Sequence, residues 1–182
     1  MRQDKETTRN FFARKGVEVR DYPKRTGGKA VDFILFLDDK VWAYAEVKTI
    51  VEYDFFGERG DPTYNKIQNK IHEASKQFAT SNPGHEYPNI IVFINHTPRI
   101  GFQDLWLVMT GQYSPPGRDS EVMDLRYLKR LVTKNDLNDI DFFVWIDHSM
   151  KKMCYAINSD SAFGQRLRCH ISSKAHEDWD DL

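Results

Sequence analysis

Three residues, Asp32, Glu46 and Lys48, have the types and spacing that metal-assisted chemistry uses. They lie in the stretch 31–48, VDFILFLDDKVWAYAEVK. Two apolar runs, 31–37 and 41–47, flank the polar Asp38-Asp39-Lys40. Their β-branched and aromatic residues suit strands, and the polar break suits a hairpin loop. If residues 38–40 form a three-residue loop, Leu37 faces Val41 and Asp32 falls opposite Glu46. Side chains alternate along a strand, so Glu46 and Lys48 share one face and Val47 takes the other. A two-residue loop would shift the pairing by one and spoil this alignment. Two carboxylates so placed repel each other unless a cation sits between them. A hard divalent ion such as Mg²⁺, with Mn²⁺ as a substitute, favours such oxygen ligands and completes its octahedron with water. A nearby lysine can then orient or deprotonate a water, or neutralise charge on a phosphate.

A glutamate two residues before a lysine is also common on exposed strands, where it forms an ion pair of little consequence. Here the pair ends a run that otherwise reads as core, Val41-Trp42-Ala43-Tyr44-Ala45, where bare charges are costly.

The surrounding elements have to position these groups. Residues 4–15 read as a helix, with Phe11 and Phe12 toward its end and Gly16 as its stop. VEVRDY, 17–22, alternates as a short strand and ends at Pro23. KRTGGK, 24–29, is a basic loop that suits either a simple turn or a phosphate contact, and it lacks the spacing of a P-loop. After the hairpin, 49–61 starts as strand and ends as loop. Residues 64–79 place Ile67, Ile71, Ala74 and Phe78 at helical spacing, with Lys66, Lys70 and Gln77 along one flank. NIIVFIN, 89–95, is the continuous apolar run of a strand buried on both faces.

The order is helix, strand, strand with Asp32, strand with Glu46 and Lys48, helix, strand. This αβββαβ order and the Asp32…Glu46-Val47-Lys48 pattern resemble the PD-(D/E)xK nuclease superfamily, the restriction-endonuclease-like fold. Val31 stands where the motif has proline, a departure shared by many members. The resemblance covers about the first 96 residues and implies an α/β fold with a mixed central sheet. It implies Asp32 and Glu46 as metal ligands for Mg²⁺, the Val47 carbonyl as a further ligand, and Lys48 beside the attacking water. Members often add a glutamate from the first helix, which here is Glu6, and a lysine or glutamine from the helix after the motif strand, for which Lys70 and Gln77 are the candidates. The implied activity is hydrolysis of phosphodiester bonds, with DNA placed before RNA as substrate. A non-catalytic nucleic-acid-binding or interaction module of the same fold is the rival. In an unrelated α/β protein, Glu46 and Lys48 would face open solvent and Asp32 the far face.

The second half reads as an α+β extension, 97–182, of a single domain spanning 1–182. Residues 101–111 carry a helical stripe, 112–119 a loop and 121–132 a second helix. Residues 141–147 and 153–157 read as strands joined by a turn at 148–152, and the acidic tail HEDWDDL as frayed.

With 182 residues, 40% hydrophobic and 13% aromatic, the chain can build a real core. Its net charge of −1 excludes a general polycation, so contact with nucleic acid has to be local. The first thirty residues carry nine lysines and arginines against four acids. No apolar leader or stretch of transmembrane length is evident, and two cysteines do not make a disulfide scaffold, so the expected setting is cytoplasmic. The small size leaves little room for a target-recognition domain, which points to a homodimer or a partner protein for sequence choice. His148, Cys154, Cys169, His170 and His176 lack zinc-site spacing. No nucleophile elbow supports Ser-His-Asp catalysis. His96 closes a strand and suits either the lining of the cleft or, as the favoured reading, a hydrogen-bonded structural role, while Tyr53, Phe55 and Phe56 suit base stacking or packing equally.

Overall fold

The structure is a computed structural model and describes residues 2–23, 29–51, 62–113, 123–124, 132–148, 151–158 and 160–172. Helix α1 (Arg2–Arg14) leads into β1 (Glu18–Asp21), β2 (Phe33–Leu37) and β3 (Lys40–Ile50). Helix α2 (Pro62–Ser81) and β4 (Asn89–Asn95) follow, completing the order αβββαβ. Gly16 ends α1 as expected: with φ at 72° it adopts the left-handed conformation, and the Val17 N–H returns to the Phe12 carbonyl.

The remainder contains α3 (Phe102–Thr110), the two-residue strands β5 (Gln112–Tyr113) and β6 (Met123–Asp124), and α4 (Lys134–Asn138). Then come β7 (Phe142–Asp147), β8 (Lys152–Ile157) and α5 (Gly164–Ser172). The six-stranded sheet has the order β1-β2-β3-β4-β7-β8. Strands β3, β4 and β7 run parallel, whereas the hairpin pairs at both edges are antiparallel, so the sheet is mixed.

One apolar layer lies under α1 and α5, where Phe11, Phe12, Leu167 and Ile171 meet Phe33, Leu35, Ala43, Ala45 and alternate residues of β4 and β7. The other lies under α2 and α3, where Ile67, Ile71, Ala74 and Phe78 meet Ile91, Phe93, Phe143 and Trp145. β4 is buried at every position, as its unbroken apolar run requires.

Three expectations are corrected. Residues 112–113 and 123–124 were expected in a loop and a helix, respectively, but pair as the antiparallel ladder β5–β6. The helical spacing of 121–132 therefore does not decide the conformation of Met123 and Asp124, whose backbone groups are satisfied across the ladder instead. The rest of that segment below Val132, and most of the loop 112–119, lie outside the described residues. So do 24–28 of the basic loop, Tyr53, Phe55 and Phe56, part of the turn at 148–152, and the acidic tail.

The third correction concerns the hairpin. The loop is a two-residue turn, with Leu37 paired to Lys40, and Asp38 and Asp39 at φ of 51° and 59°. Both signs match a type I′ turn. Phe36 pairs with Val41, but Leu35 pairs with Ala43, so Trp42 is an extra residue on β3. This bulge restores the register that a three-residue loop would have set. It also places consecutive Trp42 and Ala43 in the same apolar layer.

Candidate metal centre

β2 stops pairing at Phe33, opposite Ala45, while β3 continues to Ile50 along β4. The β2 side of β3 is thus uncovered beyond Ala45, and Asp32 fills the gap. Its Oδ2 accepts the Val47 backbone N–H at 3.1 Å. The N–H and C=O of a strand residue project toward the same neighbour, so the Val47 carbonyl lies on that side too.

Glu46 and Lys48 point toward α2 and are buried, with exposures of 4% and 8%. Neither faces open solvent. Lys48 Nζ lies 3.0 Å from Glu46 Oε1, donates to Gln77 Oε1 at 2.7 Å and stands 3.5 Å from Glu73 Oε2. Gln77 is itself fixed by donating from Nε2 to the Ala30 carbonyl at 2.9 Å. Lys70 is half-buried one helical turn before Glu73. Burial and the Lys48 ammonium lower its pKa, against the attraction of Glu73 and Glu46.

Glu46 is the most perturbed group of the site. Burial, then the Asp32 charge, raises its pKa to about 7, although Lys48 opposes the shift. Its Oε2 is buried and has no hydrogen-bond partner among the described residues. A buried carboxylate oxygen left bare is costly unless a cation or proton serves it.

The donor set fits a hard divalent ion. Asp32, Glu46 and the Val47 carbonyl are all oxygen donors, and Mg²⁺ commonly takes one or two carboxylates and keeps several waters. The described residues contain no group of three or more histidines, cysteines or acids able to hold a metal. With two carboxylates and one carbonyl on offer, an ion held here would take the rest of its octahedron from water.

Glu6 is not brought to this centre. It is exposed on α1, and the buried acid of that helix is Asp4. Asp4 shares the inward stripe with Thr8, Phe11 and Phe12, seven and eight residues short of the aromatics; Glu6 falls off that stripe. Asp4 Oδ2 accepts from Thr49 Oγ1 at 2.5 Å, and its Oδ1 lies 2.8 Å from His96 Nε2. The ring of His96 stacks on His148, with centroids 4.9 Å apart and planes within 5°. Burial acts to raise the Asp4 pKa, but the Thr49 and His96 hydrogen bonds outweigh it and the net shift is downward.

Lys5, next along α1, pairs with Asp32 Oδ1. Lys66, on the flank expected to carry Lys70 and Gln77, donates to the Val51 carbonyl. The structure thus gathers Asp32, Glu46, Lys48, Lys70 and Gln77 and leaves Glu6 outside. It adds Lys5 and Glu73, which the sequence reading did not single out. Glu73 was detectable, since 70, 73 and 77 share one helical stripe. Lys5 carried no such signal, because its partner lies across the fold.

No family model and no curated protein matches the chain. Among solved structures, it is similar to Pyrococcus furiosus SfsA in complex with Ca²⁺, with a TM-score of 0.40 and 13% identity. That match covers 86% of this chain and 62% of the SfsA chain. No helix among the described residues is long and apolar enough to cross a membrane.

Proposed function

We propose that the chain is a metal-dependent nuclease of the PD-(D/E)xK type, hydrolysing phosphodiester bonds in DNA before RNA. The observation that carries this reading is the bare, buried Oε2 of Glu46, set against Asp32 and flanked by the tethered ammonium of Lys48. Asp32, Glu46 and the Val47 carbonyl would hold Mg²⁺ or Mn²⁺. When bound, such an ion supplies a Lewis acid for the phosphate and lowers the pKa of water. Lys48, positioned by Gln77 and Glu73, directs positive charge toward the scissile phosphate and can orient the attacking water. Lys70 adds a second ammonium on the same helix face.

One observation favours the rival reading of a non-catalytic module. Both carboxylates already have ammonium partners, Lys5 on Asp32 and Lys48 on Glu46. Incubation with plasmid DNA and with structured RNA separates the two, using Mg²⁺, Mn²⁺ or EDTA and a Glu46→Ala/Lys48→Ala variant as control. Metal-dependent cleavage that disappears in the folded variant supports the nuclease, and the polymer cut identifies the substrate. No cleavage together with no Mn²⁺ binding by calorimetry leaves the binding module.

A further inference from the structure

Asp32 has two kinds of partner. Its Oδ2 is held by the Val47 backbone N–H, which belongs to the sheet and cannot leave. Its Oδ1 is held by Lys5, a side chain that is 24% exposed and carries a long, flexible stem. The first turn of α1 is pinned by the neighbouring Asp4, through Thr49 and His96. Lys5 is therefore delivered to Asp32 by the fold, while its ammonium keeps a route to solvent. Arg9, one turn on, is committed elsewhere, to the Val19 carbonyl and Asp21.

We propose that Lys5 is a built-in competitor for the metal position. It neutralises Asp32 while the centre lacks a divalent ion and has to withdraw for one to enter. Asp32 keeps its orientation during this exchange, because the Val47 N–H stays on the other oxygen. Once withdrawn, the Lys5 ammonium lies at the mouth of the centre, where a nucleic-acid phosphate can take it as counter-ion. The inference rests on the nuclease reading and adds to it a regulation of metal entry.

The test is calorimetric titration of the full chain with Mn²⁺ at near-neutral pH, without nucleic acid. Lys5→Met and Lys5→Gln remove the charge, while Lys5→Arg keeps it. The expected result is an affinity about two- to fivefold higher than wild type in both neutral variants, the scale of losing one partly exposed like charge beside the ion. Lys5→Arg is expected to bind like wild type. Equal or weaker binding in the neutral variants overturns the proposal, as does Lys5→Arg binding as tightly as Lys5→Met. Having two neutral variants keeps the test decisive if one fails to fold. A wild type that binds Mn²⁺ and cleaves DNA, with affinity indifferent to Lys5, removes the gate and leaves the nuclease. A chain that neither binds Mn²⁺ nor cleaves removes both.

Discussion

Glu46 and Lys48 share one buried face of β3, two residues apart and 3.0 Å between Oε1 and Nζ, yet they are not a self-sufficient ion pair. Burial and Asp32 still raise the Glu46 pKa to about 7, so near neutrality this acid is balanced between its two forms. That balance suits a centre whose charge changes when a cation enters.

The first prediction is a pH dependence of stability. The folded pKa of Glu46 lies above its ordinary 4.5, so the folded state holds the proton more tightly than the unfolded chain. Its contribution is fully present below about pH 4.5 and is lost as pH rises through about 7. Glu46→Gln abolishes this loss. Urea denaturation in EDTA at both ends of that window reads it out. The stability of the variant relative to wild type is expected to rise by up to about 3 kcal/mol from the acid to the alkaline end. A pH-independent difference would place the Glu46 pKa near its ordinary value.

Gln77 is predicted to act as a positioning residue. Gln77→Leu leaves the Ala30 carbonyl without the Gln77 donor and removes one of the acceptors that aim Lys48, which keeps Glu46 and Glu73. A loss of about 1–3 kcal/mol in stability is expected from the unsatisfied groups. Mn²⁺ affinity is expected to change less than the cleavage rate, because Lys48 is misdirected while Asp32 and Glu46 remain. Equal losses in both would indicate collapse of the centre.

The hairpin turn offers a stability test remote from the centre. Asp39 adopts φ of 59°, which glycine tolerates without steric cost. Asp39→Gly is expected to stabilise by about 0.5–1 kcal/mol or leave stability unchanged, while Asp39→Val destabilises it by more, as read from thermal melts. The opposite order would contradict the two-residue turn.

Asp4→Asn probes the pin that holds α1. The Asp4 pKa is lowered in the fold, so its charged form contributes stability above the ordinary 3.8, and this is lost as pH falls through the lower folded value. The variant is therefore expected to be less stable than wild type at neutral pH, with the gap closing in acid. A gap that widens in acid would reverse the assigned sign.

Much of this architecture was readable from local pattern. The stripe of Ile67, Ile71, Ala74 and Phe78 specifies a helix with one buried face, and the unbroken NIIVFIN run specifies a strand covered on both sides. Alternation alone puts Glu46 and Lys48 on one face. The same logic carried Lys70 and Gln77 to the flank of α2.

Other features were decided between elements. Tight turning at Asp38-Asp39 sets one register, and packing of both Trp42 and Ala43 against α1 and α5 sets another; the bulge at Trp42 reconciles them. Helical phase excludes Glu6 in favour of Asp4, but only the packed position of α1 over the ends of β3 and β4 shows Asp4 meeting Thr49 and His96.

By itself, then, the sequence determined the kinds and order of the elements through β4 and the residue types available for chemistry, because these follow from periodicity within a few turns of chain. Only the tertiary structure decided which carboxylate oxygen is left bare and which lysine sits on Asp32. Those outcomes depend on desolvation and on contacts between Lys5 and Asp32, or Lys48 and Gln77, that the chain brings together only when it folds.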